Sequence, residues 1–101
     1  MTAPKAGTWK TILEESTPDL FKMATELQKT VLVEGTLSIK TKTLMMMLCD
    51  TLLTHNDGVA NLAKQARDLG ASNAEITETL AVALMMGGLP ALVTGANAFR
   101  D

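Results

Sequence analysis

One cysteine, one histidine and three aromatic residues in 101 positions are the scarcest components of this chain. Each scarcity closes off a kind of chemistry. A lone cysteine excludes an internal disulfide and suits a reduced, cytoplasmic setting. One His and one Cys fall short of the three or four ligands that a zinc centre requires, so no metal and no cofactor is expected. Three aromatics offer little to stack on bases, and the nine Lys and Arg residues are scattered rather than clustered. Nucleic acid is therefore not an expected partner. Residues 1–7 lack the apolar stretch of a signal peptide. The sequence shows no strand alternation or hairpin signal and no internal repeat. Gly87-Gly88 follows a helical pattern without a trailing Lys-Ser/Thr, which excludes a phosphate loop.

Apolar side chains are abundant instead. They make up 47% of the residues, with a mean hydropathy of +0.16 and seven methionines. A domain this small leaves much of its surface in water, so the surplus predicts subunit interfaces, where obligate contacts resemble a divided core. From Thr79 to Phe99 no residue is charged. Gly87, Gly88 and Pro90 break that run in its middle, so it reads as two buried helices joined by a tight turn, and no membrane partner is expected.

The pattern is helical throughout. Thr8 can cap a short helix through about Glu15, with Trp9, Ile12 and Leu13 on its apolar side. Thr17-Pro18-Asp19 is a second start signal. Leu20, Ala24, Leu27 and Val31 follow at helical spacing, widened by Phe21, Met23 and Leu32, and Gly35 is expected to end that helix. Ser38 caps a third helix, in which Leu44 to Leu48 is apolar on every face and which should therefore be central and buried. Asn56-Asp57-Gly58 reads as a turn and cap before a helix carrying Val59, Leu62, Ala63, Ala66 and Leu69. Gly70 stands where a left-handed C-terminal cap belongs. Ser72 and Glu75 form a capping box, followed by the stripe Ile76, Leu80, Ala83 and Leu84. Pro90 opens a last helix with Ala91, Leu92, Val93, Ala96 and Phe99. The fold class is all-α, with about six helices.

Leu37 to Lys42, Ala66, Gly70-Ala71, Glu75-Ile76, Ala83 and Met86-Gly87-Gly88-x-Pro90 occur here in an order that resembles the carboxymuconolactone decarboxylase family, which includes the alkylhydroperoxidase D-like proteins. The resemblance runs from about Pro18 to Phe99. It implies one domain over residues 1–101, built as an alkylhydroperoxidase D-like helical unit and assembled into a homo-oligomer, a trimer or a hexamer. Redox members carry a Glu on the central helix and a Cys-x-x-Cys-x-x-x-His motif, which together form a thiol relay. Those slots fall here on Thr43, His55, Gly58 and Leu62, so every member of the relay is missing. Decarboxylases in the family do not use paired cysteines, and that branch stays open.

Two reactive residue types remain. His55 sits beside a predicted turn in the slot of the first redox cysteine, where it could serve as a general base or orient a ligand. The plainer alternative is a partly exposed histidine at a helix C-terminus, flanked by Asp50 and Asp57. Cys49 lies six residues before His55, and on a continuous helix the two side chains would point about 120° apart. A buried structural cysteine is the simpler reading of Cys49. The Met45-Met46-Met47 and Met85-Met86 runs suit adaptable core and interface packing. The leading functional expectation is an oligomer without thiol peroxidase activity, with a pocket at Thr43, Gly58 and Leu62 for a small apolar or carboxylated ligand. The alternatives are a lactone decarboxylase or isomerase acting through His55, or a one-cysteine antioxidant protein using Cys49.

Overall fold

The structure is a computed structural model that describes residues 8–100; the signal-peptide reading of residues 1–7 lies outside them. The chain divides into two compact units, one ending at Val33 and one beginning at Glu34. The first contains α1 (Thr8–Ser16) and α2 (Pro18–Val31), packed against each other. Pro18 occupies the first turn of α2, with Asp19 near its positive end and Lys29 near its negative end, as the helix dipole favours. Neither helix buries a residue. The helix also stops four residues before Gly35. Leu32 leaves the helical region at φ −87°, ψ 60° while its N–H still bonds the Gln28 carbonyl. Val31 and Val33 flank that exit, and their branched side chains favour extended backbone over helix.

The second unit holds α3 (Ile39–Leu52), α4 (Asn56–Asp68), α5 (Asn73–Gly87), α6 (Leu89–Gly95) and a closing 3-10 turn, Ala96–Phe99. No strand occurs among the described residues. Met47, Val59, Ala63, Ile76, Leu80 and Ala98 form its core, with Leu44 and Leu62 packed against them. Small residues let the helices approach closely: a side chain at Gly95 would stand 2.8 Å from Leu80 Cδ2.

In the second unit, the ends at Ser38, Gly70 and Ser72 follow the sequence signals. Ser38 Oγ accepts from the Thr41 N–H at 3.0 Å. Ser72 and Glu75 make both bonds of the capping box, at 3.1 and 3.0 Å. Gly70 adopts φ +97°, and the Gly70 and Ala71 N–H groups bond the Arg67 and Ala66 carbonyls at 2.9 Å each. That is the paired closure of a Schellman motif, which needs a residue free to turn left-handed. Arg67 then ties three elements together, donating to the Ala98 carbonyl and to Asn73 Oδ1 while lying over the Phe99 ring.

Burial departs from expectation along two apolar segments of this unit. Of the apolar run Leu44 to Leu48 only Met47 is fully buried, and Met45 is exposed. On the charge-free segment, Ile76-side stripe residues Leu80 and Ala83 are buried, but Leu84, Met85, Met86, Leu89, Val93 and Phe99 are exposed. A four-helix unit has one inside. Helices apolar on every face cannot all be covered by it, so a single chain leaves the remaining apolar faces in water.

Candidate functional site

The α3–α4 corner carries the one histidine. Leu53 and Thr54 form the turn after α3, and His55 occupies the cap position of α4 without making a side-chain capping bond. Asn56, Asp57 and Gly58 are already the first turn of α4; the sequence signal marked the helix start but placed the turn three residues too late. Thr54 adopts φ +62°, a left-handed conformation that is strained for a β-branched residue. Its hydroxyl donates to the Leu53 carbonyl at 2.6 Å.

Asp50 holds this corner. The His55 N–H donates to the Asp50 carbonyl at 2.9 Å, and His55 Nδ1 lies 2.9 Å from Asp50 Oδ1. The His55 side chain is 56% exposed, the Asp50 side chain 25%. A carboxylate on one ring nitrogen fixes the ring's orientation and leaves Nε2 free to exchange a proton. Gly58 is what makes room, since a Cβ there would come within 2.9 Å of Asp50 Cγ. Beside Gly58, in the same first turn, Asp57 accepts from Arg100 at 2.5 Å.

The other residues suggested by sequence fall elsewhere. Thr43 is buried in α3, and its hydroxyl donates to the Ile39 carbonyl at 2.8 Å, so it is spent on its own helix. Leu62 packs against the core. Cys49 is exposed, not buried. It shares the outer face of α3 with Met45, Leu52 and Leu53, which lie four, three and four residues away, all exposed. Because α3 ends at Leu52, the helical angle between Cys49 and His55 has no continuous helix to act through, and the ring partner of His55 is Asp50.

An open groove of about 220 Å3 runs between α3 and α5, lined by Thr41, Leu44, Met45, Leu48, Thr79 and Val82. It takes none of His55, Thr43, Gly58 or Leu62 into its wall. Sequence reasoning missed it; the available signal was the excess of apolar residues on the outer faces of α3 and α5. Of its two hydroxyls, Thr79 donates to the Glu75 carbonyl, and Thr41 Oγ1 accepts from Ser38. No group of His, Cys, Asp or Glu able to hold a metal occurs among the described residues. No helix among them is long and apolar enough to cross a membrane.

The profile of the carboxymuconolactone decarboxylase family matches residues 18–101. This chain belongs to that family. The family's fold is shared with a carboxymuconolactone decarboxylase family protein from Legionella pneumophila, solved in its apo form, at 27% identity and a TM-score of 0.86, over 92% of this chain and 83% of that one. A candidate carboxymuconolactone decarboxylase from Burkholderia xenovorans LB400 is similar at 25% identity and a TM-score of 0.84, over 95% of this chain and 74% of that one. A search of curated proteins found no match.

Proposed function

We propose that this member of the carboxymuconolactone decarboxylase family is a cytoplasmic homo-oligomer, trimeric or hexameric, that binds a small apolar or carboxylated ligand without a dithiol relay. The observation that carries the proposal is the occupant of the relay's place. An Asp50-paired histidine stands where family resemblance puts the first thiol, and a glycine lying under Asp50 stands where it puts the second. The chain's one thiol is on the outer face of α3. Exposed apolar side chains on α3, α5 and α6, among them Met45, Met85, Leu89 and Val93, support self-association, because obligate interfaces cover surface of this kind.

His55 supports a second reading, a decarboxylase of small carboxylated lactones. There the carbon–carboxyl bond breaks, carbon dioxide leaves, and the protonated ring, oriented by Asp50, returns a proton to the carbon left behind. A one-thiol antioxidant role for Cys49 has its exposure in its favour, but His55 is paired with Asp50.

One experiment separates these readings. The protein is titrated with a carboxylated lactone and with its decarboxylated counterpart, following backbone amide shifts and carbon dioxide release. Binding of either compound, perturbing residues at the α3–α4 corner and weakened by His55→Ala, supports a ligand site. Turnover abolished by His55→Ala establishes the enzyme instead. Shifts confined to residues remote from His55 would refute both.

A further inference from the structure

The α3–α5 groove is polar at one end and apolar along the rest of its length. Leu44, Met45, Leu48 and Val82 line most of it, and Thr41 and Thr79 contribute its hydroxyls. Beside those hydroxyls Lys40 Nζ meets Glu75 Oε2 at 2.9 Å, bridging the two helices. Lys40 directly precedes Thr41, and Glu75 lies one turn before Thr79, whose hydroxyl donates to the Glu75 carbonyl. At the opposite end Leu52 packs against Gly87, where a Cβ would stand 2.7 Å from Leu52 Cδ2. The two contacts lie the same twelve residues apart on both helices, so α3 and α5 run parallel along the groove.

The polar end has more donors than acceptors. Ser38 Oγ donates into Thr41 Oγ1 at 2.9 Å, so the Thr41 hydroxyl keeps its own hydrogen for an outside acceptor. The Lys40 ammonium carries three hydrogens and directs one at Glu75. Glu75 has less left to give, because it also accepts the Ser72 N–H at 3.0 Å. Lys40 is 34% exposed, within reach of a ligand entering from solvent.

We propose that this groove binds a medium-chain aliphatic carboxylate, its head at Thr41 and Lys40 and its tail along Leu44, Met45, Leu48 and Val82. A carboxylate accepts hydrogen bonds and donates none, which answers the two donors at that end. From Thr41 to Leu48 the helix rises about 10 Å, a length that an extended chain of about eight carbons spans. A volume of about 220 Å3 suits one such tail and is below what a drug-sized ligand fills. Covering Met45 and Val82, each close to half exposed, supplies the apolar part of the binding. A wholly apolar occupant would cover the same surface and leave the Thr41 hydroxyl and the Lys40 ammonium without water or partner. The site is separate from the α3–α4 corner, since neither His55 nor Gly58 lines it.

Octanoate is the probe, titrated into the full chain below its micelle concentration and followed by methyl and amide shifts. The methyl signals of Leu44, Met45, Leu48 and Val82 should move saturably, and acetate, a head without a tail, should move none of them. Octylammonium has the same tail and the opposite charge. It should bind about tenfold more weakly, the value of one charge-assisted hydrogen bond at the head. Thr41→Val should weaken octanoate by a similar factor, as should Lys40→Met combined with Glu75→Gln, which removes both charges of the bridge together. Circular dichroism checks that these variants stay helical, and the octylammonium comparison needs no variant at all. Equal binding of octanoate and octylammonium would overturn the proposal, because the head would then play no part. Shifts centred on His55 would overturn it by giving the ligand to the α3–α4 corner. Groove methyls that stay still, whether bare or already covered by a second copy, would overturn it and leave the reading of that corner untouched.

Discussion

Asp50 and His55 close the α3–α4 corner twice over, once through the backbone and once through the ring, each contact at 2.9 Å. Four residues lie between them, and the helix ends within that stretch. The carboxylate therefore reaches across the turn rather than along a helix face, and Gly58 supplies the space it occupies. The geometry makes Asp50 the residue that orients His55.

Gly58→Ala should break that pairing. The new Cβ would need the place of the Asp50 carboxylate, and a short aspartate side chain can swing away at modest cost. The expected outcome is a changed imidazole 15N shift for His55 and a stability loss of about 1 kcal/mol, the net worth of an ordinary hydrogen bond. Ring shifts identical to those of the parent protein would show that Asp50 does not orient the histidine.

Thr54→Gly should stabilise the fold. A left-handed conformation costs an L-residue about 1–2 kcal/mol, and glycine returns part of that gain as unfolded-chain entropy. A net gain of about 0.5 kcal/mol remains, read as a higher denaturant midpoint. A lower midpoint would mean that the Thr54 hydroxyl bond to Leu53 outweighs the backbone strain.

Ser72→Ala should cost about 1 kcal/mol per subunit by removing one half of the capping box. Its partner adds a pH dependence. Glu75 is held below the usual carboxylate range, first by its bond to Lys40 and then by the Ser72 backbone N–H. A depressed folded-state value stabilises the fold at neutral pH, and that contribution disappears as pH falls through it. The stability difference between the parent protein and Glu75→Gln should therefore shrink on acidification. A difference that stays constant down to strongly acid pH would show that the Lys40 pairing adds nothing.

Cys49 should react readily with thiol reagents in a single chain yet support no catalytic turnover of an alkyl hydroperoxide. A resolving thiol must lie within about 7 Å between Cα atoms, and the chain has no second one. Peroxide consumption should match that of a free thiol and stop within a few equivalents, once the thiol has passed through the sulfenic acid to its irreversibly oxidised forms. Sustained turnover abolished by Cys49→Ser would overturn this and point to a bridge between subunits.

The helices, their caps and the family were legible in the sequence because those signals are local. Ser38, Ser72-Glu75, Gly70 and Pro18 act within one turn of their own backbone, and the 3.6-residue stripe of Ile76, Leu80 and Ala83 marks its buried face directly. Which apolar residues stay outside was not legible. Leu44 to Leu48 and Leu84 to Phe99 are apolar on all sides, so no periodicity distinguishes the side that meets the core from the side that does not. The packing of α3, α4 and α5 made that choice, burying Met47 and leaving Met45 and Cys49 in water. Asp50 likewise reads as one of two unremarkable acids beside His55. It becomes the partner only because α3 ends at Leu52 and the chain turns back through Thr54, a long-range consequence of how α4 docks on the core.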